Sequence, residues 1–241
     1  MIRISGVFLG FLGVLLAGQA GLAQAETIKN ESEAGIVITG GNTEVSTLSL
    51  KQGTTWLAGP NAYSLNARYL RSSNSGIEQA LQWGAGVKAA HTFSSSLGAF
   101  VGQLIESNIY QGIQQRYSTD AGGKAVLHQV EKDWSWWIEG GYRFTRENYL
   151  DGFQNLNFLR VYSEFEHYFA ETVSAKLWVE MLPNLTRWKA YQFNSNLSLN
   201  TSLNSVFSLK NSFELRYNNE PPAVAKSLSD RIFTTSLVAK F

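Results

Sequence analysis

The chain has 241 residues, a formal net charge of +1 and no cysteine. That balance gives no argument for nucleic acid or another strongly charged partner, and the lack of thiols excludes a disulfide framework and thiolate metal sites. A mean hydropathy of −0.14 reads as soluble, but the same average arises when apolar and polar residues alternate along membrane-spanning strands.

Residues 1–25 read as a cleaved secretory signal. Arg3 supplies the positive start, and Ile4 to Leu16 is an apolar run too short to cross a bilayer as a helix. Ala23-Gln24-Ala25 is an Ala-x-Ala cleavage signature, so the mature domain, residues 26–241, is expected to begin at Glu26. Past the signal, no stretch of about 18 apolar residues remains.

From Ile36 onward the dominant pattern is alternation. A first strand runs into a tight hairpin at Gly40-Gly41-Asn42-Thr43, where Gly41 and Asn42 both tolerate positive φ. Short turns are expected near Gly59-Pro60, Ser94 to Ser96, Glu131 to Asp133, Ala170-Glu171 and Asn204-Ser205. Between them lie segments read as mostly longer polar loops: Ser72 to Ser75, Gln111 to Gln115, Tyr149 to Asn155, Leu182 to Lys189 and Asn218 to Asp230. Short turns on one side and longer loops on the other predict a closed antiparallel transmembrane β-barrel of about twelve strands, both ends periplasmic. The strands are expected to be long, about 14 to 18 residues against the usual 5–6 of soluble sheets. The segment from Tyr191 to Asn204 alternates most cleanly, with Phe193, Leu197, Leu199 and Leu203 on one face and Gln192, Asn194, Asn196, Ser198 and Asn200 on the other.

Aromatic residues are placed for two interfacial girdles. Trp56, Tyr63, Phe93, Trp134, Phe169, Phe207 and Phe241 fall near proposed periplasmic ends, and Tyr69, Phe158, Trp188, Tyr191, Tyr217 and Phe233 nearer the other rim.

The inward phase carries charges of both signs. The expected lumen-lining set is Arg68, Lys88, Lys124, Glu139, Arg143, Arg160, Glu164, Lys176, Glu180, Lys210, Glu214 and Arg216. A hairpin turning at Ala170 would place Arg160 opposite Glu180 and Glu164 opposite Lys176, each an attractive cross-strand pair. Such a lumen is either plugged by its own charges or a narrow polar channel. A barrel hydrolase acting on lipid or lipopolysaccharide is the alternative, and it would need a base and a nucleophile on one face of a strand. The three histidines stand in His91-Thr92-Phe93, His128-Gln129-Val130 and His167-Tyr168-Phe169, none of them a His-x-Ser pair. By phase, His91 and His167 point to lipid and His128 inward. No catalytic residue, metal ligand or cofactor site is expected.

The last strand ends on Phe241, with Ala239, Leu237, Thr235 and Phe233 in the same outward phase. Phe233, Leu237 and Phe241 resemble the terminal signal that barrel-assembly machinery reads on outer-membrane barrels.

The segment Glu33-Ala34-Gly35-Ile36-Val37-Ile38-Thr39-Gly40-Gly41-Asn42-Thr43-Glu44 resembles the opening of a domain-of-unknown-function family of putative salt-induced outer membrane proteins. The end is similar too, through Tyr217 to Pro222, Asp230 and Ser236 to Phe241, and the middle more loosely through Gly141-Tyr142-Arg143-Phe144 and Asp151. The resemblance covers about residues 31–241. It implies a barrel in a bacterial outer membrane; with the missing His-x-Ser pair, the expectation is a non-enzymatic barrel, a monomer rather than an oligomer, in contact with lipid and lipopolysaccharide. Periplasmic chaperones and the assembly machinery would be its partners during biogenesis, and nucleic acid would not. The family carries no activity to transfer, and a role in salt or other stress rests on its label alone.

Overall fold

The computed structural model describes residues 27–38, 45–222, 225 and 227–241. The expected signal with Ala23, Ala25 and Glu26, and the hairpin motif Gly40 to Thr43, lie outside the described residues. Twelve antiparallel strands close into a barrel, each paired with its sequence neighbours and β1 with β12. They are β1 (Thr27–Ile38), β2 (Val45–Ala58), β3 (Asn61–Asn74), β4 (Ile77–Thr92), β5 (Leu97–Asn108), β6 (Ile113–Gln129), β7 (Trp134–Asn148), β8 (Phe153–Ala170), β9 (Val173–Leu182), β10 (Gln192–Ser202), β11 (Phe207–Asn218) and β12 (Ser229–Lys240). Closure satisfies every edge, which is what lets a sheet exist without water at its rim. The seam is short: β1 and β12 pair only from Glu31↔Lys240 to Ala34↔Leu237. Reciprocal backbone bonds between Asn30 and Phe241, at 2.8 and 3.1 Å, extend it to the last residue.

The outer wall is apolar. Val101, Leu197 and Phe233 are 58%, 53% and 68% exposed, and Val161, Leu177, Leu209 and Phe213 stand exposed beside them. So large an uncovered apolar surface requires an apolar surrounding. Several outward polar groups are satisfied by cross-strand partners rather than by water. Ser32 donates to Gln52 at 2.5 Å, Thr54 to Asn30 at 2.8 Å, Thr119 to Gln103 at 2.6 Å and Thr235 to Asn211 at 2.8 Å.

The hairpin geometry corrects several expectations. Strand lengths range from 10 residues in β9 to 18 in β8, a wider spread than 14 to 18. The turn after β3 is the tight Ser75-Gly76, with both residues at positive φ, and not a longer loop over Ser72 to Ser75. Ile109–Gln111 form one 3-10 turn, closed by left-handed Gly112. The loop asymmetry is therefore carried by the β9–β10 and β11–β12 connections, over 183–191 and 219–228. In β8–β9 the turn is at Glu171-Thr172, and an irregularity lies between Tyr168 and Ala170. The register is displaced by two residues: Tyr162 stands opposite Glu180 and Glu166 opposite Lys176. A shift of two keeps every side chain on its face, so the predicted charge pairs meet diagonally instead of directly.

Two side chains leave their expected faces. A bulge between Val126 and His128 pairs His128 with the outward Trp136. Its ring stacks on Trp134 at 3.5 Å, so His128 belongs to the outer wall and not to the lumen. Phe158 is 1% exposed and packs inside with Leu156 and Leu182, so it caps the lumen instead of joining the far girdle.

Candidate functional site

The barrel's interior is its candidate site. Alternation delivers every second side chain inward, and twelve strands supply charges at several depths. At mid-height, Arg143 holds Asp120 through two hydrogen bonds of 2.6 and 2.7 Å and reaches Glu180 at 3.1 Å. Arg160 donates to Glu180 and to Glu139, both at 2.7 Å. Lys88 pairs with the far oxygen of Glu139. Each guanidinium thus bridges carboxylates on different strands, the fork geometry for which arginine is suited.

Glycines make room for these side chains. Gly122 and Gly141 face each other across β6 and β7. A Cβ on Gly141 would lie 2.3 Å from the Ala121 carbonyl, and one on Gly122 2.4 Å from the Gly140 carbonyl. Two backbones this close leave space inside for Arg143 and Arg160.

A second group of pairs crosses the lumen. Glu106 on β5 touches Arg68 on β3, Arg116 on β6 at 3.9 Å and Arg216 on β11 at 3.7 Å. Glu214 on β11 reaches Arg68 at 3.6 Å and Lys51 at 3.9 Å, and Arg216 at 2.6 Å. Strands β5 and β11 lie six places apart in the ring of twelve, directly opposite. Side chains from opposite walls therefore meet in the middle, and the lumen narrows to the gaps between them.

Beneath this constriction lies a cavity of about 1090 Å³ lined by Ile28, Lys29, Lys240 and Phe241, at the rim where β1 starts and β12 ends. Among its walls are Lys51, Lys176, Lys210, Glu33, Glu164, Trp137 and Tyr162. Lys210 binds Glu33 at 2.9 Å, and Lys176 reaches Glu164 at 3.2 Å and Glu166 at 3.6 Å. Above the constriction the far rim is closed more firmly. Arg116 pairs with Glu147 at 2.6 Å, and Glu147 accepts from Tyr149 and Gln154. Burial first, and then the Glu147 carboxylate, raise the pKa of the Tyr149 hydroxyl well above its usual range. Gln111 donates to Asp230 at 2.6 Å, joining the β5–β6 turn to β12.

All twelve charges predicted to line the lumen lie in these layers. Arg68, Lys88, Glu139, Arg143, Arg160, Glu164, Lys176, Glu180, Lys210, Glu214 and Arg216 are ion-paired. Lys124 lies over the Trp137 ring at 4.0 Å. The predicted terminal residues Phe233, Leu237 and Phe241 are on the outer wall, 68%, 49% and 60% exposed. Sequence reasoning left out Glu33, Lys51, Glu106, Arg116 and Glu147. Glu106 and Arg116 flank a segment read as loop, yet each shares the phase of its own strand's inward residues, a signal that was present. The histidines form no reactive group: among the described residues the one hydrogen bond of a histidine side chain is His91 with Asn61, at 2.8 Å. No cluster that could hold a metal ion occurs among the described residues.

The fold recurs in solved structures. An outer-membrane channel of Pseudomonas putida F1 aligns with a TM-score of 0.50 and 10% identity, covering 91% of this chain and 96% of that one. The KdgM porin, solved with disordered oligogalacturonate, aligns at 0.46 and 11% identity over 88% and 96%. The NanC porin aligns at 0.46 and 11% over 89% and 98%. At 10% identity the likeness to the channel is one of fold alone. No curated protein matches the sequence. The profile described as "Protein of unknown function, DUF481" matches residues 32–241.

Proposed function

We propose that this chain, which belongs to the DUF481 family of proteins of unknown function, is a non-enzymatic outer-membrane barrel that gives small polar solutes a narrow, ion-pair-constricted path. The observation that carries this reading is the joining of a water-accessible cavity of about 1090 Å³ to a layer where Arg68–Glu214 and Arg216–Glu106 cross the lumen. Such a layer passes ions and small solutes when its pairs loosen, and holds back larger ones. The apolar outer wall supports a place in the membrane among lipid and lipopolysaccharide. The exposed terminal strand supports handling by periplasmic chaperones and the barrel-assembly machinery. The fold shared with an outer-membrane channel is in keeping with this, and a monomer suffices for it. A cleaved signal over residues 1–25 would bring the chain to that membrane. The same reading extends to a response to salt: pairs across a wet lumen weaken as ions screen them. Among the described residues, no arrangement of histidine, nucleophile and carboxylate supports hydrolysis of lipid.

The test is planar-bilayer conductance of the protein extracted from membranes in detergent, beside the Arg68→Ala, Arg216→Ala variant. Discrete steps that grow in the variant are expected. Silent bilayers from both folded proteins would overturn the path and leave a plugged, structural barrel.

A further inference from the structure

Most inward side chains of this barrel are Ser, Thr, Asn, Gln, Lys, Arg or Glu, as an aqueous wall demands. Besides the Leu156–Phe158–Leu182 cap, an aromatic sector departs from that. Trp137 on β7, Tyr162 on β8 and Trp178 on β9 follow one another around the inner wall. The Trp137 and Tyr162 rings are 5.0 Å apart at 35°, and Tyr162 and Trp178 are 6.0 Å apart at 22°. The three rings overlap in a continuous, staggered shelf of tilted faces. Trp137 and Tyr162 line the cavity, and so does Tyr168. The aromatic faces are half-buried and meet the lumen, where water gains nothing from them.

Hydrogen-bonding and charged groups frame the shelf. Tyr162 donates to Glu164 at 2.7 Å, and Lys176 reaches Glu164 at 3.2 Å. Lys124 has no carboxylate within ion-pair distance among the described residues, and its ammonium rests on the Trp137 ring at 4.0 Å. Cation–π contact at a wet surface is weak, so Lys124 gives it up readily to a carboxylate. Swinging away, it would leave only the more distant Lys88 ammonium, 5.8 Å from the centre of that ring. Across the whole cavity, Lys29, Lys51, Arg68, Lys176, Lys210 and Lys240 outnumber Glu31, Glu33, Glu164 and Glu166.

We propose that the Trp137–Tyr162–Trp178 shelf is a binding site for an acidic oligosaccharide. The apolar C–H face of a sugar ring stacks on the aromatic surface. The hydroxyls meet Glu164 and Tyr162, and the sugar carboxylate takes Lys124 and Lys176. Aromatic surface with a few directed polar groups is the ordinary makeup of a ligand pocket, and the cavity, which Trp137 and Tyr162 line with Trp178 stacked behind Tyr162, has the volume for one. The inference deepens the solute-path reading by naming the solute, and it rests on that reading only for how the ligand arrives.

The test is isothermal titration of the detergent-extracted full barrel with a glucuronate trimer and with a glucose trimer. Heat-modifiable gel migration serves as the folding control. The acidic trimer is expected to bind more tightly than the neutral one by about tenfold. Trp137→Ala should weaken both at least tenfold, Tyr162→Phe should keep most of the affinity, and Lys124→Gln should weaken the acidic trimer alone. Absence of binding by the wild type at millimolar sugar, or binding that Trp137→Ala leaves unchanged, would overturn the site. Binding without conductance would retain the site and remove the solute path. Conductance without binding would do the reverse.

Discussion

The lumen-crossing layer makes a quantitative prediction when both of its carboxylates are neutralised. Glu106 and Glu214 are the sole ion-pair partners, among the described residues, of Arg68 and Arg216. Glu106→Gln, Glu214→Gln keeps the volume of both side chains and leaves two guanidinium groups facing each other across the path. An ion passing within about 5 Å of each site in a water-like medium feels about 0.8 kcal/mol per charge removed. Two charges amount to about 1.7 kcal/mol, favourable for an anion and unfavourable for a cation, which corresponds to more than tenfold for either. Screening at 0.1 M, where the Debye length is about 10 Å, reduces this. The ratio compounds the two opposite effects, so the expected result after screening is a shift of roughly thirtyfold in the anion-to-cation permeability ratio. Reversal potentials in a salt gradient across a planar bilayer would read it. Repetition at 1 M, where the Debye length is about 3 Å, should shrink the shift severalfold. A ratio unchanged within twofold, or a shift toward cations, would show that ions do not pass this layer and would refute the reasoning.

Other consequences concern stability and assembly. Arg160→Met leaves Glu139 and Glu180 short of a buried partner and is expected to cost about 3–5 kcal/mol, read as a lower urea midpoint by loss of heat-modifiable migration. Gly141→Val puts a Cβ into the Ala121 carbonyl and should prevent barrel closure, measured as the absence of a compact, heat-modifiable band. Deleting Phe241 removes the Asn30 bonds that lengthen a four-pair seam, and it should slow assembly in pulse-chase labelling while leaving synthesis unchanged. Tyr149 has a raised pKa, so its contribution is fully present below the ordinary phenol value of about 10 and is lost as the pH climbs above that towards the folded value. Melting temperatures of wild type and Tyr149→Phe should accordingly diverge below about pH 10 and converge in stronger alkali.

Much of the charged interior was legible because strand periodicity is a local property. Arg143, Arg160, Glu180 and Glu139 could be assigned to one face from parity alone, since a side chain's side of the sheet follows from its own position in the strand. Where parity broke, the reading broke with it. His128 crosses to the outer wall because a bulge inserts an extra residue, and nothing in Val126-Leu127-His128 announces it. Phe158 is an inward residue by parity, but its aromatic character suggested a girdle. Its burial depends on Leu182, which comes from another strand.

The sequence by itself determined that strands alternate, that they number about twelve, and that charges of both signs point inward. These follow from spacing along one chain. Only the closed ring decided which charge meets which. Arg216 and Glu106 lie 3.7 Å apart although their strands pair with neither each other nor a common neighbour. That contact depends on barrel diameter and on registers accumulated over several hairpins, and a displacement such as the two residues at Glu171-Thr172 propagates into every contact beyond it. The constriction and the aromatic shelf are therefore properties of the tertiary structure, because the distances that make them are set by closure.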